Sequence, residues 1–237
     1  MCIDAQFVSR AEEIFINPSP TYDWNQIVNG VHVARRDGSR KTMAAVSTNT
    51  FRGFHRIDQT RPGASAVFKG FMVDSKEELL GRLKTIKSRK ELDKLKDGLV
   101  MNVRERLTNV IPHMLESYNK LRKPIDLYVE HLVAMSTELN SERARLVPLL
   151  HLPLDSQMFD QTAIFSDAEL RKAGVGRGDG YAAVTTKARY DGLQAVTVRR
   201  AKEISKATGR AFHPVYFDLI WNHRYAAWGG NLFEVNP

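Results

Sequence analysis

Ser117-Tyr118-Asn119-Lys120-Leu121-Arg122-Lys123-Pro124-Ile125-Asp126-Leu127-Tyr128-Val129-Glu130-His131-Leu132-Val133 is the stretch on which the fold turns. Ile125, Leu127, Tyr128, Leu132 and Val133 recur at helical rather than alternating intervals. Proline suits the first turn of a helix, where its missing N–H would have no partner anyway, so the spacing predicts a helix that opens at Pro124.

Helical patterns continue on both sides. Upstream, Asp74 or Ser75 can cap a helix running to about Asp97 and ended by Gly98. A second is predicted over about 99–120, kinked at Pro112. Downstream, Ser166-Asp167-Ala168-Glu169 is a capping box for a short helix ended by Gly174. Thr186 to Thr208 reads as a long helix closed by Gly209, and His213-Pro214 opens a last, aromatic-rich helix through Tyr225.

Toward the amino terminus, Ile3, Phe7, Val8, Ala11, Ile14 and Phe15 share a helical face, and a short helix through Trp24, Ile27 and Val28 stops at Asn29-Gly30. The segment 30–73 is predicted to be irregular or weakly β, with a strand at Val31-His32-Val33-Ala34 and turns at Arg36-Asp37-Gly38-Ser39 and Arg61-Pro62-Gly63. The expected architecture is one compact, mainly α domain over 1–237. Its helical core covers about 74–237 and follows the amino-terminal helices and the irregular segment of 1–73. Strand and helix patterns do not alternate, which argues against a doubly wound sheet.

Thirty-five Lys and Arg stand against 27 Asp and Glu in 237 residues, a net charge of +8. That surplus favours a polyanionic partner, because each cation placed on a phosphate releases condensed counterions. A single cysteine, Cys2, excludes an internal disulfide and a multi-thiolate zinc site. No signal-peptide pattern, membrane span or basic amphipathic anchor stands out, so the expected compartment is the cytoplasm, with no membrane partner. The seven histidines lack metal-ligand spacing, and neither a metal nor a cofactor is expected.

Lys123, followed by His151-Leu152-Pro153-Leu154-Asp155-Ser156-Gln157-Met158-Phe159, resembles the core of the helix-hairpin-helix superfamily of DNA glycosylases. In that family a lysine or other residue opens a helix, and a Pro-apolar-Asp-Ser/Thr segment follows with the catalytic aspartate. Asn119-Lys120-Leu121-Arg122 stands where the family has its glycine hairpin. The interval from Lys123 to Asp155 exceeds the family norm, which makes Glu138–Arg145 an insertion.

The resemblance implies a helical glycosylase-like fold and a double-stranded DNA partner carrying a modified or damaged base, with no obligate protein partner. Cutting an N-glycosidic bond builds positive charge on the sugar, which a fixed carboxylate stabilises, and Asp155 would supply it. Lys123, kept out of the helix by the proline after it and facing the positive helix end, would become a nucleophilic amine and add strand cleavage. Divergent members of this general look defend bacteria against phages with modified, including glucosylated, DNA. The plain alternatives are that Asp155 caps a helix and that Lys123 is solvated or meets a phosphate.

The last predicted helix places Asp218, Trp221, Asn222 and Tyr225 three or four residues apart, hence on one face. With Gln157 they are the candidate pocket for an extruded base; core packing is the alternative. Phe51-Arg52-Gly53-Phe54-His55-Arg56 interleaves rings with cations. Arg52, His55, Arg56, Arg122 and Arg177 are the expected DNA contacts, the last beside the glycine loop 174–180, whose amides can cradle a phosphate. Two other functions fit the same sequence: a non-catalytic helical DNA-binding protein, and a metal-dependent nuclease using Asp126 and Glu130.

Overall fold

The computed structural model describes residues 3–34 and 40–220. Among them are ten α-helices and one two-stranded antiparallel sheet, so the chain is mainly α. Helix α1 (Ala5–Phe15) is capped by Asp4, and α2 (Trp24–Asn29) by an Asp23–Gln26 capping box. Strands β1 (Val31–Ala34) and β2 (Arg40–Met43) pair in the register Val31 to Met43 and Ala34 to Arg40. The turn expected at 36–39 lies outside the described residues.

The last ten residues of the segment predicted to be irregular are in fact helical. Helix α3 (Ala64–Asp74) buries Ala64, Phe68, Phe71 and Met72, whose spacing fits one helical face. Its start is poorly marked because Gly63, at the cap position, offers no side chain.

The helix expected to run from 75 to 97 is broken in two. Helix α4 (Lys76–Thr85) ends at Ile86, which is extended, and Ser88 with Glu91 forms a capping box that starts α5 (Arg89–Arg106). Gly98 therefore lies inside a helix, and the cap three residues before Glu91 outweighs the glycine as punctuation. Leu92, Leu95, Lys96, Leu99, Val100 and Val103 are the buried face of α5. Pro112 does not kink a helix but opens a short 3-10 turn, Pro112–Leu115.

Helix α6 (Tyr118–Met135) is the axis of the molecule. It starts six residues before Pro124, so Lys123 is interior to the helix rather than at its mouth. The first-turn amides explain the early start: Tyr118 and Asn119 donate to the carbonyls of Thr185 and Val184, at 3.0 and 3.1 Å. A neighbouring chain segment thus satisfies groups that would otherwise favour a later opening. Pro124 removes one backbone donor, and burial around the helix compensates. Leu121, Ile125, Tyr128, Val129, Leu132, Val133 and Ala134 are all buried, each apolar side chain stabilising by roughly 1.5–3 kcal/mol. A helix buried on every side packs against neighbours all round, here α1, α2, α5, α7 (Arg143–Leu146) and α10 (Lys187–Thr208).

Two short helices, α8 (Ser156–Phe159) and α9 (Asp167–Lys172), separate α7 from α10. The capping box at Ser166 and Glu169 is present, Gly174 is left-handed (φ +66°), and α10 runs from its Thr186 cap to Gly209 (φ +69°) as expected. After His213 the chain makes a 3-10 turn, Pro214–Phe217. No helix among the described residues is long and apolar enough to cross a membrane.

Among the described residues several buried polar atoms lack a hydrogen-bond partner, and those of Glu130 belong to a carboxyl group. Glu130 on α6 is 0% exposed, and neither carboxyl oxygen meets a hydrogen-bond donor. Burial, with Asp218 and Asp126 nearby, holds its pKa well above the ordinary range, so the acid is kept neutral. A raised acid pKa stabilises the fold below the unfolded value near 4.3 and loses that contribution as pH climbs toward the folded value. Glu130→Met should therefore raise the unfolding free energy at pH 8 by about 1–3 kcal/mol, read as a higher urea midpoint, and flatten the decline of stability between pH 5 and 8. A midpoint that falls at both pH values would show that the carboxyl is a structural asset.

Candidate active site

Three stretches distant in sequence meet at one end of α6. Asn119, wholly buried, donates from Nδ2 to the carbonyls of Leu154 and Tyr181, each at 3.0 Å. Ser117 Oγ donates to the carbonyl of Ala182 at 2.8 Å. These bonds fasten the loop that carries Asp155 and the loop that carries Tyr181 to the helix that carries Lys123.

Lys123 Nζ donates to Asp155 Oδ2 at 2.9 Å and lies 4.8 Å from the centre of the Tyr181 ring. The side chains of the pair retain 12% and 15% of their accessible surface, so the contact is sheltered but reachable. Asp155 also caps α8, its Oδ1 accepting from the amides of Gln157 and Met158 at 2.9 and 3.2 Å. The carboxylate is thus held from both sides, one oxygen by backbone and the other by an ammonium. Gln157 is one residue inside the same helix, at the lip of the site, where its carbonyl accepts from Gln161 Nε2.

Next to this pair stands the loop of Arg52, His55 and Arg56, all three exposed, while Phe51 and Phe54 turn into the core. The rings anchor the loop, while Arg56, though exposed, donates to the carbonyls of Gln59 and Arg61 at 3.1 and 3.3 Å. The Tyr181 hydroxyl donates to the carbonyl of Thr50 at 3.0 Å, and Lys120 reaches the carbonyl of Gly53. Burial raises the Tyr181 pKa and lowers that of Lys120. Beside the loop, Phe51, Phe54, Arg56 and the first turn of α3 line a shallow cleft of about 350 Å³.

Arg122 is not a DNA contact. It is 0% exposed, and its guanidinium meets Asp93 at 2.5 Å, Asp97 at 2.6 Å and Asp126 at 3.0 Å. Lys96 joins the cluster on Asp126 at 2.8 Å, and the Tyr190 hydroxyl takes the other oxygen of Asp126 at 2.6 Å. Burial pushes Asp93 and Asp126 up in pKa, but it is outweighed by His151 and Arg122 at Asp93, and by Arg122 and Lys96 at Asp126. Both end below the ordinary range. Asp126 is buried inside this cluster with both oxygens already hydrogen-bonded, which counts against it as the first ligand of the nuclease reading. No group of three His, Cys, Asp or Glu side chains among the described residues is placed to hold a metal ion.

Arg177 is likewise committed to its own chain, donating to the carbonyls of Phe159 and Phe165 and to Asp167. The glycine loop does not present a free phosphate cradle either. Gly176 N donates to Asp179 and Gly178 N to Asp160, so the protein's own carboxylates occupy these amides. Asp218 is buried, in the neighbourhood of Glu130. Trp221, Asn222 and Tyr225 lie outside the described residues.

Asn119, Lys120 and Tyr181 are the residues that reading the sequence missed. Lys120 and Lys123 share a face only once α6 is known to begin before Pro124. Nothing local marks Tyr181, which enters the site through contacts 58 to 131 residues away in sequence, the farther one to Thr50. No family model, curated protein or solved structure matches the chain.

Proposed function

We propose that this chain is a DNA glycosylase that extrudes a modified or damaged base and cleaves its N-glycosidic bond. The observation that carries the reading is the 2.9 Å contact between Lys123 and Asp155, brought together from 32 residues apart at a sheltered but open site beside an exposed cationic loop. In the reaction the C1′–N bond breaks with its electron pair leaving on the base, and the sugar becomes cationic. Asp155, held by two amides and one ammonium, is a fixed negative charge for that cation, with no reorganisation needed at the moment of reaction. Water then adds to C1′, its proton passing to the departing base, and an abasic site is left. Arg52, His55 and Arg56 supply phosphate contacts, and Gln157 contributes to the base pocket.

Lys123 lies inside a helix with its Nζ on a carboxylate rather than at a helix mouth, which supports hydrolysis more than the amine route. Base release should be scored in chelator, as alkali-cut abasic sites, across oxidised, alkylated, uracil-containing and glucosylated DNA. At least one substrate is expected to give abasic sites without prior strand cleavage. Borohydride trapping of a covalent Lys123–DNA adduct would restore the amine route.

A non-catalytic DNA-binding protein is the second reading. It is favoured by the capping role of Asp155, which alone gives that residue a structural purpose. Salt-sensitive binding to every DNA of the panel with no base release would establish it.

A further inference from the structure

Lys120 is buried without a counter-charge. It retains 7% of its accessible surface, and its Nζ meets only the carbonyl of Gly53, the sulfur of Met114 at 3.5 Å and the face of Phe54 at 4.9 Å. None of these carries a negative charge, and no carboxylate of the described residues comes within ion-pair distance of it. The contrast within the same helix bundle is direct. Lys96, deeper still, has Asp126, Lys123 has Asp155, and Lys187 has Asp97 and Asp191. A buried ammonium on neutral acceptors is costly, and an anion would relieve the cost more than any other ligand.

The surroundings decide which anion. Lys120 lies in the seam between α6 and the loop that carries two exposed arginines, Arg52 and Arg56, and the exposed His55. Gly53 lies close against the lysine, since a Cβ there would sit 3.3 Å from Lys120 Cε, near enough for the side chain to have to give by a few tenths of an ångström. We propose that Lys120 binds a backbone phosphate of DNA, exchanging the Gly53 carbonyl for a phosphodiester oxygen when the duplex settles on the 52–56 loop. This rests on the DNA half of the proposed function and not on base excision. Burial without compensation, which lowers the amine pKa, is the state expected of a cation waiting for its anion.

Lys120→Met keeps the length and apolar stem of the side chain and removes the charge. The two properties of the variant should move in opposite directions. The urea midpoint rises, because the uncompensated charge is gone. Duplex affinity falls about tenfold at low salt, and the slope of log K against log[salt] loses roughly 0.9, the share of one phosphate contact. An unchanged slope overturns the proposal, as does a chain that fails to fold or loses stability, since either would make the ammonium a structural asset. Lys120→Gln repeats the slope measurement with a polar neutral group and should give the same loss. Thermal protection of the wild type by inorganic phosphate, absent in Lys120→Met and with no change in the duplex slope, would assign the amine to a free phosphate and also overturn it. Base release enters none of these readouts. An inactive wild type whose duplex binding depends on Lys120 would sink the glycosylase reading and leave this inference standing.

Discussion

Asp155→Asn should abolish base release while leaving duplex binding intact, with single-turnover rates about 10³-fold below wild type, or about 4 kcal/mol of transition-state stabilisation. Asparagine is as good a helix cap as aspartate, so the bonds from the Gln157 and Met158 amides survive and α8 keeps its start. What disappears is the charge beside the sugar, and with it the ion pair to Lys123, a sheltered contact worth about 1 kcal/mol to the fold. The two losses are separable. A stability change near 1 kcal/mol beside a thousandfold loss of turnover identifies a catalytic carboxylate. Equal turnover in the two proteins would reduce Asp155 to a cap and favour the non-catalytic binder.

The second large effect lies in the core. Arg122→Met should destabilise the protein by about 3–5 kcal/mol, read as a shift of the urea midpoint at constant m value. Methionine fills much of the space, but Asp93, Asp97 and Asp126 lose the guanidinium that joins them, and Lys96 cannot serve all three. The pH dependence follows with its sign. In the wild type, Asp93 and Asp126 have depressed pKa values, so their contribution is present above the unfolded carboxylate range near 3.9 and is lost as pH falls below it. Without Arg122 the balance at both aspartates shifts back toward the upward push of burial. Acid destabilisation should then begin at a higher pH in the variant. A variant as stable as the wild type at pH 7 would mean that the network relaxes around the gap, and that specificity rather than stability accounts for the ion pairs.

Much of the helical character was legible from periodicity and caps. The box at Ser166 and the left-handed glycines at 174 and 209 stand where their residue types require. What misled was the weight given to single residues. Gly98 looked like a terminus and is helical, because Ser88 and Glu91 set the frame of α5. Pro124 looked like a first turn and lies within α6, because carbonyls from residues 184 and 185, far along the chain, cap the true start. That misplacement carried over to the site. It moved Lys123 from helix mouth to helix interior, hid its kinship with Lys120, and left Arg122 looking like a surface cation. Lys123 and Asp155 were singled out by the family resemblance, but not their neighbour Tyr181, which only the tertiary path brings in.

Arg122 and Lys123 are consecutive on α6, and consecutive side chains leave a helix about 100° apart around its axis. One is locked among three aspartates and the other points at Asp155. The core network therefore acts as an angular stop. It allows α6 one rotational setting, and that setting aims the amines of Lys120 and Lys123. A helix free to roll by a fraction of a turn would carry both lysines off their targets together, so the precision of this solvent-facing site is set by charges that never meet solvent.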